Sequence, residues 1–297
     1  MSAEPGLGYR RIIVAIDLDE PVPEALIRAR QLVRRSRGEM IAVTAIPDLR
    51  ALYRGRESGL HQRFDHDVVE FASGRLDRLC RQAGVGRVLT EILRGEPGHA
   101  VAQKLDEWSA DLVVFGNPNP HGWNRYLGGF RMGLLHTTHC DLLAVSESDA
   151  SRRYRVPLVA VNLDGHQDRL VQRARTFLPD VSLSLLHVVR SRWSDYQVDP
   201  VRFAFGNREQ DIERTHALMH EMFDPLLTTY APASLEFEAG IPSKRIHKRA
   251  REGGHHVVVI NPGVHHGLGW HLGSTAGNIL SAATYDVLVV RPDRGGS

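Results

Sequence analysis

The chain is written twice. The segment Tyr9-Arg10-Arg11-Ile12-Ile13-Val14-Ala15-Ile16-Asp17-Leu18-Asp19 returns as Tyr154-Arg155-Val156-Pro157-Leu158-Val159-Ala160-Val161-Asn162-Leu163-Asp164, an offset of 145 residues. A repeat of this period constrains the fold more than any other feature, because each copy must build the same unit. The register persists. Ala25, Leu26, Ala29, Leu32 and Val33 correspond to Leu170, Val171, Ala174, Phe177 and Leu178, the apolar stripe of an amphipathic helix. Gly95-Glu96-Pro97 corresponds to Gly240-Ile241-Pro242. The offset then drops to 144, aligning Asn117-Pro118 with Asn261-Pro262 and Gly129 with Gly273. It returns to 145 where Asp141-Leu142-Leu143-Ala144-Val145 meets Asp286-Val287-Leu288-Val289-Val290. The polar stretch 146–153 reads as a linker, so residues 1–147 and 153–297 form two domains. A chain of 297 residues has room for two at roughly 150 residues each.

Within each copy, short apolar runs alternate with helical patterns. The runs predict strands at 12–16, 40–46, 88–93, 112–115 and 142–145, and at 158–161, 183–189, 235–238, 257–260 and 287–290. They are mostly continuous Val, Ile and Leu, as parallel strands buried on both faces require. Helices are expected between them, for example over 100–107 and 243–251. Strand–helix alternation with right-handed crossovers gives two tandem doubly wound α/β domains, each a parallel five-stranded sheet of Rossmann-like or flavodoxin-like type. Ligands of such sheets sit beyond the carboxyl ends of the strands, where strand order reverses. The places to look are therefore Asp17 or Val161-Asn162 after the first strand, and Gly116 or Ile260 at the end of the fourth.

The richest of these places follows the run Val257-Val258-Val259-Ile260. Gly263 comes next, and Gly273-Ser274-Thr275 opens the following helix. Glycine lets backbone N–H groups approach an anion, and a hydroxyl and the helix N-terminus add hydrogen bonds and positive potential. The segment reads as a phosphate cradle. The plainer alternative is a helix N-cap with turn glycines, since Ser is favoured there without any ligand.

The remaining composition narrows the class. Thirty-seven basic against 35 acidic residues leave a net charge of +2, which gives no bulk attraction for nucleic acid. No apolar run approaches the ~20 residues of a membrane span. The stretch 1–8 has no apolar core of a signal peptide, and Cys80 and Cys140 make no disulfide framework. A cytoplasmic protein is expected, with neither nucleic acid nor membrane as partner.

Both copies resemble the universal stress protein family, and over nearly its whole length the chain is similar to a tandem member of the E type. The resemblance rests on a pattern of Gly-x2-Gly-x9-Gly-Ser/Thr after the fourth strand. The second copy reads Ile260-x2-Gly263-x9-Gly273-Ser274, with Ile260 in place of the first Gly. The first copy reads Gly116-x2-Asn119-x9-Gly129-Phe130, losing the second Gly and the hydroxyl. The resemblance implies a ribose contact at Asp17 or Asn162 and an adenine contact at Ala45 or Val188. The first copy thus keeps the acid and loses the phosphate end, and the second does the reverse. Asn bonds a hydroxyl as a neutral group. Charge-assisted bonds contribute about 1.5–3 kcal/mol and neutral ones about 1, so the swap weakens ribose binding roughly tenfold, whereas Phe130 obstructs a phosphate seat.

The nucleotide site is accordingly assigned to the second copy, with Val161, Asn162, Val188, Ile260, Gly263, Gly273, Ser274 and Thr275 as its residues. The ligand implied is ATP or another adenine nucleotide, with or without Mg. The expected role is stress-response regulation through an unidentified protein partner. The alternative is a ligand-independent interaction protein, or a binder of an apolar molecule, with the pattern a relic. The resemblance further implies pairing of the two halves through their last strands as an intra-chain pseudo-dimer, and association of two chains as a homodimer.

Other features carry plainer readings. Asn117-Pro118 and Asn261-Pro262 read as turns after a strand, with a backbone role for Asn261 as the alternative. His136, His139, Cys140, His255, His256, His265, His266 and His271 follow no metal-ligand spacing and are expected as surface or hydrogen-bonding groups. No Gly-x-Ser-x-Gly elbow or full Walker loop is present, so slow ATP hydrolysis is the most that is expected and a dedicated enzyme is not. The connection 190–215, with Trp193, Tyr196, Phe203 and Phe205, reads as a loop with a helix, or alternatively as a lid or apolar groove. Its counterpart 48–64 carries Arg50, Arg54 and Arg56.

Overall fold

In the structure, a computed structural model, residues 8–19, 24–48, 59–117, 134, 138–146, 153–162, 167–190, 209–263 and 273–291 are described. The chain divides into two compact units that change over between Arg153 and Tyr154.

Unit 1 runs β1 (Arg11–Ala15), α1 (Glu24–Ser36), β2 (Glu39–Ile46), α2 (Gly59–Gln82), β3 (Leu89–Arg94), α3 (Pro97–Glu107), β4 (Leu112–Asn117) and β5 (Asp141–Ser146). Its sheet order is β3-β2-β1-β4-β5, and every pairing is parallel. Unit 2 runs β6 (Pro157–Val161), α4 (Gln167–Phe177), β7 (Ser184–Arg190), α5 (Glu209–Tyr230), β8 (Ser234–Gly240), α6 (Pro242–Glu252), β9 (Val257–Ile260), α7 (Ser274–Ala282) and β10 (Asp286–Val289). Its order is β8-β7-β6-β9-β10, again parallel throughout. Both units are doubly wound α/β domains with the reversal of strand order between their first and fourth strands.

The central strands are apolar because helices cover them on both sides. β5, β9 and β10 are buried along their whole length. β3 and β8, at one end of each unit's order, are mostly half-buried, whereas β5 and β10, at the other end, are buried throughout. Helices α1 and α4 pack against the sheets through Ala25, Leu26, Ala29 and Leu32, and through Leu170, Val171, Ala174 and Phe177. Those are the stripe positions of the repeat. Strand limits differ from the sequence expectation by a residue or two, because Arg11, Glu39 and Pro157 join the ladder ahead of the apolar runs.

The repeat also reproduces polar anchors that no local pattern announces. Tyr9 Oη donates to Asp141 Oδ2 at 2.7 Å, and Tyr154 Oη donates to Asp286 Oδ2 at 2.5 Å. All four residues are buried. Each pair ties the entry of the first strand to the start of the last. Gly95 and Gly240, at φ of 118° and 146°, turn the third strand into its helix in a conformation that L side chains rarely adopt. The turns then diverge. Glu96 caps α3 by accepting from the N–H groups of Gly98 and His99 at 3.1 and 2.8 Å, whereas Ile241 gives α6 no side-chain cap.

Candidate functional site

In unit 2 the reversal of strand order lies between β6 and β9. Their register aligns Val159 with Val259, so the two strands run out side by side. Val161 and Asn162 end one, and Ile260 and Asn261 end the other. Asn261 Nδ2 points to Asn162 Oδ1 at 3.5 Å, the long limit of a hydrogen bond. The structure therefore adds Asn261 to the candidate site through its side chain. The only sequence signal for it was the recurring Asn-Pro dipeptide, read there as a turn.

Gly263 and Gly273 meet, although 264–272 lie between them outside the described residues. Gly263 has φ 94°, and a Cβ placed on it would stand 3.2 Å from Gly273 Cα and 3.3 Å from Gly273 N. A Cβ on Gly273 would stand 3.2 Å from the Pro262 carbonyl oxygen. Gly263 needs glycine for its φ as well as for this approach, while at Gly273 only the approach is tight. The Gly273 N–H donates to Pro262 O at 2.6 Å, so it closes the loop and is not itself offered to a ligand.

The offered donors are those of the next turn. Gly273 is the N-cap of α7 and, as glycine, offers no capping side chain; among the described residues none caps the helix, and its first turn holds no acidic residue. The first N–H groups of a helix have no intrahelical acceptor, and the dipole leaves positive potential there. Ser274 is exposed and Thr275 half-buried, and both belong to this first turn. The end of unit 2's fourth strand thus presents an uncapped helix N-terminus over a closed pair of glycines.

The strand ends beside this turn are less open. Ile260 is buried, and its carbonyl accepts from Val290 N at 2.9 Å. Val161 is buried, while Asn162 and Val188 are half-buried. His187 Nδ1 donates to the Val161 carbonyl at 2.9 Å, fixing the backbone just before Asn162. In unit 1 the matching bond comes from Thr44 Oγ1 to Ile16 O at 2.9 Å. His187 packs against Phe223 and Phe237 with ring centroids 5.3 and 6.2 Å away. Burial pushes its imidazole below the ordinary histidine range, and the bond to Val161 works in the opposite sense. Sequence reading passed over His187, because its partner lies 26 residues away across the sheet.

In unit 1, Asp17 Oδ1 accepts from Asp19 N at 3.0 Å in a local turn. Asn119, Gly129 and Phe130 lie outside the described residues, as do His136, His265, His266, His271, Trp193, Tyr196, Phe203, Phe205, Arg50, Arg54 and Arg56. Of the other histidines, His139 is exposed. His255 is buried and structural, donating from Nδ1 to Val156 O at 3.0 Å. Among the described residues, no three His, Cys, Asp or Glu side chains gather as a metal site, and no helix is long and apolar enough to cross a membrane.

Residues 8–146 match the model of the Universal stress protein family. Universal stress protein A homolog 1 of Coxiella burnetii is 28% identical over 138 residues, covering 46% of this chain and 96% of that protein. A universal stress protein from Archaeoglobus fulgidus has a solved structure that covers 98% of this chain and 99% of its own, with a TM-score of 0.66 at 15% identity. A functionally unknown protein from Pseudomonas aeruginosa PAO1 covers 96% and 93%, with a TM-score of 0.62 at 18% identity. At these identities the two structures speak for the Rossmann-like α/β fold alone.

Proposed function

We propose that the chain is a tandem universal stress protein of the E type, acting as a non-enzymatic stress-response regulator. Unit 2 binds ATP or a related adenine nucleotide at the carboxyl ends of β6 and β9. The observation that carries this reading is the closure of Gly263 on Gly273 beneath the uncapped start of α7. Local helix capping does not require that closure, whereas compact backbone beneath an open helix N-terminus suits an anion. The amides and hydroxyls of Ser274 and Thr275 hold phosphate oxygens. Asn162, steadied by Asn261 and by the His187 bond to Val161, meets the ribose. Val188 lies on the base side, while Gly263, Gly273 and Ile260 give the cradle its shape.

Isothermal titration with ATP, with and without Mg, tests the reading. Saturable binding below millimolar concentration is expected. It is expected to be lost in Gly273→Val and retained in Phe130→Ser, because the proposed site lies in unit 2. Absence of binding at millimolar ATP overturns the proposal and leaves a ligand-independent protein. Native mass spectrometry of freshly purified protein separates that outcome from an apolar ligand by its mass.

A further inference from the structure

Helix α7 is short and poorly anchored by its own sequence. It has nine residues, no side-chain cap, no charged residue in its first or last turn, and Gly277 in its interior. A helix of this length is marginal alone, and an interior Gly costs about 1 kcal/mol relative to Ala. Three of its side chains are buried, Ala276, Ile279 and Leu280. Its placement therefore depends on ties from outside the helix.

One such tie is polar. His247 on α6 lies between Tyr285, which precedes β10, and the backbone of α7. Tyr285 Oη bonds His247 Nδ1 at 2.6 Å, and His247 Nε2 reaches the Asn278 carbonyl at 3.3 Å. A carbonyl only accepts, so Nε2 carries the proton, Nδ1 is the acceptor, and the tyrosine hydroxyl donates. One tautomer satisfies both bonds. Burial pushes the Tyr285 phenol well above its ordinary range, which keeps that hydroxyl a donor. The rings also pack, with centroids 5.7 Å apart.

This arrangement has no counterpart in unit 1. At the offset of 145, the residues matching His247 and Tyr285 are Ala102 and Cys140. The tie occurs in the unit that retains the Gly263, Gly273 and Ser274 pattern and is missing from the unit that lost it.

We propose that Tyr285 and His247 are positioning residues that hold α7, and with it the amides of Ser274 and Thr275, at the height and tilt where they meet phosphate. The inference rests on reading this edge as an adenine-nucleotide site. The tie grips α7 at Asn278, one turn beyond the cradle, so it touches no ligand and acts through the helix. Loss of the tie lets the donors drift, while the ribose side on β6 stays in place.

The test compares ATP with adenosine, which lacks phosphates, by titration against the full chain. Tyr285→Phe removes one hydroxyl and is expected to weaken ATP about fivefold to tenfold, the worth of one buried hydrogen bond, with adenosine unchanged. His247→Ala weakens ATP at least as much. His247→Gln, which keeps a donor and an acceptor, recovers part of the loss. Parallel losses for ATP and adenosine overturn the proposal, because a general structural defect would produce them. Unchanged ATP affinity in both Tyr285→Phe and His247→Ala overturns it as well. Wild-type protein that binds neither ligand overturns the site reading itself, and that failure shows before any variant is made.

Discussion

Gly263→Ala separates a cradle built on backbone approach from an ordinary turn. At φ 94° an alanine is strained by about 1–3 kcal/mol. Restriction of the unfolded chain returns about 0.4–1 kcal/mol. The new Cβ would also stand 3.2 Å from Gly273 Cα and 3.3 Å from its nitrogen. Backbone must then yield by a few tenths of an ångström, against the 2.6 Å bond from Gly273 N–H to Pro262 O. A net loss of about 1–2 kcal/mol follows, or roughly 3–8 °C in the melting transition of a unit this size. Gly273→Ala is the control. Gly273 has φ −63° and ψ 154°, a conformation open to any residue. Its Cβ would meet only the Pro262 oxygen at 3.2 Å and Gly263 Cα at 3.5 Å. The contact with the Pro262 oxygen must relax, so a loss of up to about 1 kcal/mol is expected, smaller than that of Gly263→Ala. Thermal unfolding of the full chain, followed by circular dichroism, reads both variants, and ATP titration reads the cradle. Equal stability of the two variants would refute the geometry on which the site is built.

Three further outcomes follow from the same bonds. Asn162→Asp restores a charged acceptor at the ribose position and should strengthen adenosine binding roughly tenfold, with a smaller gain for ATP because the new charge opposes the phosphates; titration of both ligands reads the difference. Tyr9→Phe and Tyr154→Phe each remove a hydroxyl from a buried aspartate, and each should destabilise its own unit by about 1–2 kcal/mol in thermal unfolding. The neutral form of His187 is favoured in the fold, so its contribution to stability is complete above the ordinary histidine range near ~6.5 and falls as pH drops below it, by at most about 1.4 kcal/mol per pH unit. His187→Thr, the residue at the matching position of unit 1, should flatten the loss of stability between pH 7.5 and 5, and an unchanged slope would remove His187 as its source.

The sheets were legible because parallel strands covered on both faces must be runs of Val, Ile and Leu. The ten runs locate the ten strands among the described residues. The helix stripes were legible for the same reason at a period of 3.6. The phosphate end of the candidate site is a local sequence, Gly263 with Gly273-Ser274-Thr275, and could be read in one pass. What held the site together could not. Tyr154 with Asp286, and His247 with Tyr285, are 132 and 38 residues apart, and nothing in the flanking residues marks them as partners. The role of Gly273 also changed in three dimensions. The sequence favours it as a phosphate donor, whereas its N–H is spent on Pro262 and the next turn of α7 is what remains open.

The differences between the units share one electrostatic direction. At the carboxyl edge of unit 1, Asp17 follows β1 and Glu96 covers the first N–H groups of α3. At the matching positions of unit 2 stand Asn162 and Ile241, and α6 and α7 begin with neither a side-chain cap nor an acid in the first turn. Unit 2 thus lacks two carboxylates that unit 1 carries after its first and third strands, and α6 starts without the side-chain cap that α3 has. Read alone, Asn162 is a weakened ribose contact. Read with Ile241, it belongs to an edge that repels a polyanion less. For a ligand with several phosphates, the lost repulsion offsets part of what its ribose gives up at Asn162, which is why Asn162→Asp should help adenosine more than ATP.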